Sequence, residues 1–142
     1  MTSTEIQEEI IEEFSAFDEW MDKYEYLIEL GKNLPLIKEE FKTKENLING
    51  CQSKVWLQAD YDEGIISFSA DSDAIITKGI IALLIRVLNN RTTGEIIDTE
   101  LFFIDKVGLS ANLSPTRANG LLAMVKQIKL YAMAYQAKYN KC

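Results

Sequence analysis

The chain has 142 residues, of which 47% are hydrophobic, and a formal net charge of −7 at pH 7. This length suits one domain with a substantial hydrophobic core, and the apolar fraction argues against disorder. The negative charge disfavours nucleic acids and anionic membranes as partners. We therefore expect a single domain that spans residues 1–142.

Targeting and membrane signals are not visible in the sequence. Residues 2–13 are acidic, whereas an export signal begins with basic residues and continues with an apolar stretch. The longest apolar run, residues 79–85, is far shorter than the roughly 20 residues that a membrane span requires. These features predict a cytoplasmic protein whose thiols are reduced.

Two helices are predicted in the first third of the chain. Thr4 and Gln7 have the spacing of a capping box. Apolar residues then recur every three or four positions, as in an amphipathic helix, at Ile6, Ile10, Phe14 and Phe17. A second helix should run from about residue 18 to Gly31, and residues 38–50 are polar without a period, which indicates a loop.

A β-hairpin is predicted after this loop. Apolar and polar residues alternate over residues 55–59 and again over residues 66–70, with the period of two that is typical of strands. Residues 61–64 end in a glycine and lie between the two runs. The pattern predicts two antiparallel strands with a four-residue connection.

The second half of the chain reads mainly as helix. Residues 72–88 are apolar on nearly every side, which predicts a buried central helix. Thr92 and Glu95 again have capping-box spacing and predict a short helix. Residues 100–109 are ambiguous and could form a strand, a helical turn or both.

The last helix has a clear start. Ser114 is a suitable N-cap, and Pro115 suits the first helical position. Its buried stripe should consist of Leu121, Val125, Ile128, Ala132 and Tyr135. The order of helices, hairpin and helices predicts an α+β fold.

Cys51 is the most informative residue for function. The only other cysteine is Cys142, and the chain contains no histidine. A zinc site needs about four Cys or His ligands, or about three with a carboxylate, and a cysteine protease needs an imidazole base. Neither can be assembled, which leaves a thiol that reacts by itself or one that only packs. Gly50 favours a thiol presented on a loop, because glycine permits unusual backbone angles and removes a side chain.

Two charged residues are further candidates. Arg117 falls in the first turn of the last helix, where a cation opposes the helix dipole. It could hold an anion there, or it could pair with a nearby carboxylate. The run Asp71-Ser72-Asp73 precedes the central helix and could supply its N-cap and an acidic first turn, or Asp73 could have a functional role. Gly79 and Gly120 predict close helix packing.

Four segments together resemble the SufE family of cysteine-desulfurase activators in iron–sulfur cluster assembly. They are KYEYLIELGKNLP at residues 23–35, GCQSKVW at 50–56, DSDA at 71–74 with Lys78-Gly79, and LSPTRANG at 113–120. They follow the family order and cover about residues 20–135. The first twenty residues and Cys142 lie outside the resemblance.

The resemblance implies a sulfur relay. A pyridoxal-phosphate-dependent cysteine desulfurase of the SufS type would hold sulfur as a persulfide, and Cys51 would accept it by chemistry of the thiol–disulfide exchange kind. The chain would stimulate the desulfurase and pass the sulfur to an iron–sulfur scaffold complex. Gly50, Gln52, Asp73 and Arg117 would support the transfer.

Further expectations about fold and cofactors follow from the same resemblance. The fold would be a small antiparallel sheet of about three strands packed against helices, shared with IscU-type scaffold proteins. The chain itself would bind no cofactor and no metal, because the pyridoxal phosphate belongs to the desulfurase. It would be a sulfurtransferase-type accessory protein rather than a free-standing enzyme.

Two other functions remain open from the sequence. Cys51 could be oxidised to a sulfenic acid by peroxide and resolved by Cys142, or the chain could be a regulatory binding module with an inert cysteine. For the sulfur relay we also expect the cysteine loop to rest in a sheltered state that opens on docking. Leu47 and Ile48 would let the loop sit against the core.

Overall fold

A computed structural model describes residues 1–139, so the role predicted for Cys142 lies outside the described residues. Two single turns of 3-10 helix, Glu39–Phe41 and Lys44–Asn46, lie in the segment predicted as a loop. The remaining elements, in chain order, are α1 (Ser3–Ser15), α2 (Trp20–Gly31), β1 (Val55–Asp62), β2 (Ile65–Ser72), α3 (Ile75–Leu88), β3 (Arg91–Thr92), α4 (Thr93–Asp98), α5 (Phe103–Lys106), α6 (Leu109–Asn112) and α7 (Pro115–Tyr139).

The three strands form one antiparallel sheet in the order β1-β2-β3. The predicted α+β class with a small antiparallel sheet is therefore confirmed. The third strand is Arg91–Thr92, which pairs with the start of β2. The ambiguous residues 100–109 contain α5 and the first residue of α6 and no strand.

The hairpin turn is shorter than the sequence predicted. Tyr61 and Asp62 continue β1, where they pair with Ile66 and Ile65, so only Glu63 and Gly64 connect the strands. Both turn residues have left-handed backbone angles, with φ of 49° and 86°. Two left-handed residues match the right-handed twist of a tight hairpin, which is why a two-residue connection suffices.

The core lies between one face of the sheet and α3. The predicted alternation is confirmed, because the inward side chains are buried at Val55, Leu57, Ala59, Ile66, Phe68 and Ala70. α3 is buried on almost every side, as its all-round apolar sequence predicted. The prediction of close packing at Gly79 is also confirmed, since a Cβ atom there would lie 2.2 Å from the Leu27 carbonyl oxygen of α2.

α7 covers the outer edge of β1. The Tyr131 hydroxyl donates a hydrogen bond to the Leu57 carbonyl at 3.3 Å, and the Tyr135 hydroxyl donates to the Ala59 carbonyl at 3.1 Å. Unpaired carbonyls on an edge strand would otherwise invite pairing with another chain. These two bonds also fix α7 relative to the strand that follows Cys51.

The N-terminal cap differs from the prediction. The capping box of α1 is formed by Thr2 and Glu5, each accepting a hydrogen bond from the backbone N–H of the other. Thr4 does not cap the helix, and Gln7 is buried, where its amide donates to the Glu100 carbonyl at 3.0 Å. The sequence did not indicate this role of Gln7, because its partner Glu100 lies 93 residues away.

Other helix boundaries agree to within a few residues. α2 begins at Trp20 and α3 at Ile75, slightly later than predicted. The capping box of α4 is confirmed. On α7, Val125 and Tyr135 are only half-buried, and the buried stripe is instead Gly120, Leu121, Met124, Ile128 and Ala132. Among the helices of residues 1–139, not one has the length and apolar character needed to cross a membrane.

Candidate functional site

The cysteine loop, residues 49–54, is closed at its base by β-type contacts. The Ile48 N–H donates to the Val55 carbonyl at 2.9 Å, and Leu47 forms an isolated antiparallel bridge with Trp56. Ile48 is buried in the core, and Leu47 is half-buried. The apolar pair before the loop thus anchors it to the start of β1.

Gly50 brings the loop against α7. Its φ of +96° lies in the region that favours glycine. A Cβ atom at this position would lie 3.2 Å from the Cβ of Ala123 on α7. Both the backbone angle and the contact therefore require the residue that the sequence places before Cys51.

Cys51 is half-buried against the first turns of α7. Its thiol donates a hydrogen bond to the Gly120 carbonyl at 3.6 Å. A Cβ atom on Gly120 would lie 3.6 Å from the sulfur, so Gly120 packs against the cysteine loop rather than against another helix. Burial raises the pKa of the Cys51 thiol above its ordinary value. The resting protein therefore holds this sulfur as a protonated thiol at neutral pH.

Asp73 fixes the other end of the loop. Its carboxylate accepts a hydrogen bond from the Lys54 N–H at 3.0 Å, and its own N–H donates to the Lys54 carbonyl at 3.2 Å. The prediction that residues 71–73 supply the N-cap and an acidic first turn of α3 is wrong, because the N-cap is Ala74 without a side-chain bond and the first turn contains no acidic residue. The carboxylate instead links the segment before α3 to the end of the cysteine loop at Lys54.

Arg117 lies on the first turn of α7, as predicted. The Ser114 hydroxyl accepts the Arg117 N–H at 3.3 Å, which confirms Ser114 as the cap. The guanidinium carbon is 5.9 Å from the centroid of the Tyr24 ring, a cation–π arrangement. Within residues 1–139 the exposed side chain forms no salt bridge, so the alternative of a structural ion pair is not observed there.

A cavity of about 320 Å³ opens beside Cys51. It lies between the cysteine loop, α3 and α7, and its lining residues are Cys51, Gln52, Ser53, Thr77, Ile80, Ser114, Thr116, Arg117, Gly120 and Met124. Of the residues predicted from sequence, Cys51, Gln52 and Arg117 meet at this cavity. Gly50 and Asp73 do not line it, but they hold the loop that does.

Sequence reasoning missed Thr77, which lines the cavity from α3. It is the one polar residue among the buried residues of this helix. That interruption of an apolar run was the available signal. Among the described residues no cluster of three or more His, Cys, Asp or Glu side chains could hold a metal ion.

The chain matches the SufE family model, described as an Fe-S metabolism associated domain, over residues 8–132. It belongs to the SufE family. A SufE-like protein of Rhizobium etli is 43% identical over 127 residues, which cover 86% of each chain. A SufE-like protein of Synechocystis is 39% identical over 89% of this chain and 80% of the relative. The predicted family is therefore confirmed, and it associates the chain with iron–sulfur metabolism.

Two further relatives bear on fold and location. A solution structure of a Thermus thermophilus protein superposes with a TM-score of 0.74 over 91% of this SufE-family chain and 94% of that one, at 18% identity, and supports the fold. SufE-like protein 1 of Arabidopsis thaliana, named as chloroplastic/mitochondrial, is 41% identical over 92% of this chain but only 36% of its own length. The cytoplasmic location thus stays a prediction.

Proposed function

We propose that this protein accepts persulfide sulfur on Cys51 from a pyridoxal-phosphate-dependent cysteine desulfurase, stimulates that enzyme and delivers the sulfur for iron–sulfur cluster assembly in the cytoplasm. The observation that carries the proposal is the placement of Cys51. Its thiol lies on a loop fixed at both ends, beside a cavity that Arg117 also lines. Membership of the SufE family adds the link to iron–sulfur metabolism.

The transfer is a thiol exchange between two chains. The Cys51 thiolate attacks the terminal sulfur of the desulfurase persulfide, and a new sulfur–sulfur bond forms at Cys51 as the bond in the donor breaks. The donor cysteine leaves as a thiolate. The sulfur atom moves without net oxidation or reduction, so the step needs no metal and no outside oxidant. Delivery to the scaffold is the same exchange with Cys51 as the donor.

In the free protein, the protonation state of Cys51 disfavours this attack. Thiolate is the reactive species, whereas burial and the Gly120 carbonyl both favour the protonated thiol of Cys51. Docking must therefore release the thiol from Gly120 or bring positive charge to it. In this proposal Arg117, which lines the same cavity, supplies that charge, and the loop moves between its two fixed ends.

The alternative of a peroxide-responsive thiol is less well supported. Oxidation to sulfenic acid follows thiolate character and exposure. Cys51 is half-buried and its pKa is raised, which opposes both requirements. A sulfur carrier gains from the same shelter, because a persulfide in solvent is easily reduced or oxidised.

A stimulation assay with two matched variants tests the proposal. Alanine release by a SufS-type desulfurase from free cysteine is measured alone, with the wild-type chain, with Cys51→Ser and with Cys142→Ser. We expect Cys142→Ser to stimulate like the wild type and Cys51→Ser to give no stimulation. Full stimulation by Cys51→Ser would show a binding module with an inert cysteine instead.

Hydrogen exchange tests the opening on docking. Amide exchange across residues 46–53 should change when the desulfurase binds, because the loop leaves its contacts with α7. The amides of the buried helix α3 serve as an internal reference that should stay constant. Identical exchange of the loop in the free and bound protein would rule out the opening.

A further inference from the structure

Thr77 is a buried residue whose hydroxyl has no hydrogen-bond partner among residues 1–139. The residue is only 6% exposed, and every fully inaccessible side-chain polar atom of the described residues has a partner. The Thr77 oxygen must therefore reach open space, and the space that Thr77 lines is the cavity beside Cys51. Threonine in a helix often bonds back to the preceding turn, but this hydroxyl does not.

An apolar residue would fit position 77 of α3 if the hydroxyl had no function. The other buried residues of α3 are Ile, Leu, Val, Ala and Gly. Valine has the same shape as threonine and would extend the apolar surface of α3, yet this position carries a hydroxyl that faces open space. The hydroxyl can therefore donate a hydrogen bond to a group that enters the cavity beside Cys51.

A persulfide on Cys51 would place a new atom in the same space. The added sulfur extends the side chain by about 2.05 Å, the usual length of a sulfur–sulfur bond. The cavity of about 320 Å³ has ample room for it, and Gly120 contributes no side chain that would block it. Ile80 and Met124 supply apolar walls around that volume.

We propose that the Thr77 hydroxyl donates a hydrogen bond to the terminal sulfur of the Cys51 persulfide and holds that sulfur inside the cavity. This inference rests on the proposed sulfur-carrier function and adds a binding residue to it. The terminal sulfur of a persulfide carries the negative charge when the proton leaves, and a buried anion requires donors. An O–H group pointing at that sulfur forms a charge-assisted bond, which is stronger than one between neutral groups.

The bond has two measurable consequences. It favours the anionic persulfide, so its loss should raise the persulfide pKa by about 1 unit, the effect of one hydrogen bond to a charged group. It also keeps the terminal sulfur turned away from solvent. Without the hydroxyl, an external thiol should reach the sulfur sooner and release it as sulfide several times faster.

The test loads the persulfide chemically, so it is independent of any desulfurase. In a Cys142→Ser background, Cys51 is converted to its mixed disulfide with an aromatic thiol and then treated with sulfide. The sulfide forms the bond to the Cys51 sulfur and displaces the aromatic thiolate. The persulfide pKa is read from the pH dependence of its alkylation rate, and its lifetime from sulfide release in excess dithiothreitol.

Four variants distinguish the effect of the Thr77 hydroxyl on the persulfide from the effect of side-chain packing. Thr77→Val removes the hydroxyl at constant shape and Thr77→Ala removes it with more space, so both should raise the pKa and speed sulfide release. Thr77→Ser keeps the hydroxyl and should behave like the wild type. Thr93→Val changes a threonine that is 5% exposed on α4 and does not line the cavity, so it should have no effect.

Two outcomes would overturn the inference. Wild-type pKa and lifetime in Thr77→Val and Thr77→Ala would show that the hydroxyl does not contact the persulfide. Wild-type behaviour of Thr77→Val, together with a changed pKa and lifetime in Thr77→Ser and Thr77→Ala, would show that shape alone matters. If the variants behave as expected but a desulfurase never loads Cys51, the hydrogen bond stands and the sulfur-carrier function fails.

Discussion

Gly50→Ala tests the placement of the cysteine loop against α7. Gly50 and Gly64 have similar backbone angles, with φ of +96° and +86°, so alanine introduces comparable strain at both, about 1–2 kcal/mol. Only Gly50 also meets a neighbour, because its Cβ would lie 3.2 Å from the Cβ of Ala123, whereas a Cβ on Gly64 would meet nothing within 4 Å. Overpacking in a close contact costs typically 1–3 kcal/mol, and we expect about 1 kcal/mol here because the contact is tight rather than overlapping.

The assay is urea denaturation of the wild type and four variants. Gly50→Ala, Ala123→Gly and their double variant form a double-mutant cycle with the wild type, and Gly64→Ala is the control for backbone strain. Gly50→Ala should lower the free energy of unfolding by about 1 kcal/mol more than Gly64→Ala. In the Gly50→Ala protein, Ala123→Gly should be less destabilising than in the wild type, where glycine in a helix interior costs about 1 kcal/mol. This coupling isolates the contact from the backbone strain. Equal losses at Gly50 and Gly64, with additive effects of Ala123→Gly, would refute the contact between the loop and α7.

Three other predictions concern the groups around the thiol. Arg117→Ala should cost about 1 kcal/mol or less in stability, as at a typical surface site, yet lower desulfurase stimulation; a strongly lowered melting temperature with normal stimulation would make Arg117 structural. Asp73→Ala should speed amide exchange at Lys54 and across residues 49–54, because it removes the carboxylate that accepts the Lys54 N–H. Asp73→Asn keeps an acceptor oxygen and should change the exchange less. Unchanged exchange in Asp73→Ala would show that this carboxylate does not hold the loop. The folded state raises the pKa of the Cys51 thiol, so its contribution to stability is present below the unfolded pKa of about 8.5 and is lost as pH rises through the folded pKa. Denaturation curves should therefore show the wild type losing more stability than Cys51→Ser above about pH 8.5, and parallel losses would contradict the burial of the thiol.

Local signals explain why most of the fold could be predicted. The apolar period identified α1 and the hairpin strands, and the all-round apolar run identified α3. The Thr92 and Ser114 caps identified two helix starts. These patterns involve neighbours within a few residues, which the sequence displays directly. The predicted length of the hairpin turn was wrong because the polar residue Asp62 still pairs with Ile65 in the sheet. Strand propensity does not show such pairing.

The site could be predicted only in part. Cys51, Gln52 and Arg117 line one cavity. The family resemblance named all three as site residues, whereas their spacing in the sequence did not indicate that they meet. The contacts of Asp73 with Lys54 and of the Cys51 thiol with Gly120 join segments 19 and 69 residues apart. No local rule encodes such pairs, because each depends on how three elements pack.

Mass spectrometry of the loaded protein tests the central claim most directly. The chain is incubated with a SufS-type desulfurase, pyridoxal phosphate and cysteine, alkylated, and digested without reductant. The sulfur-carrier account predicts one added sulfur atom on the peptide that contains Cys51, and none on that peptide in Cys51→Ser. Sulfur found only on the peptide that contains Cys142, or on neither peptide while the desulfurase turns over, would contradict the account.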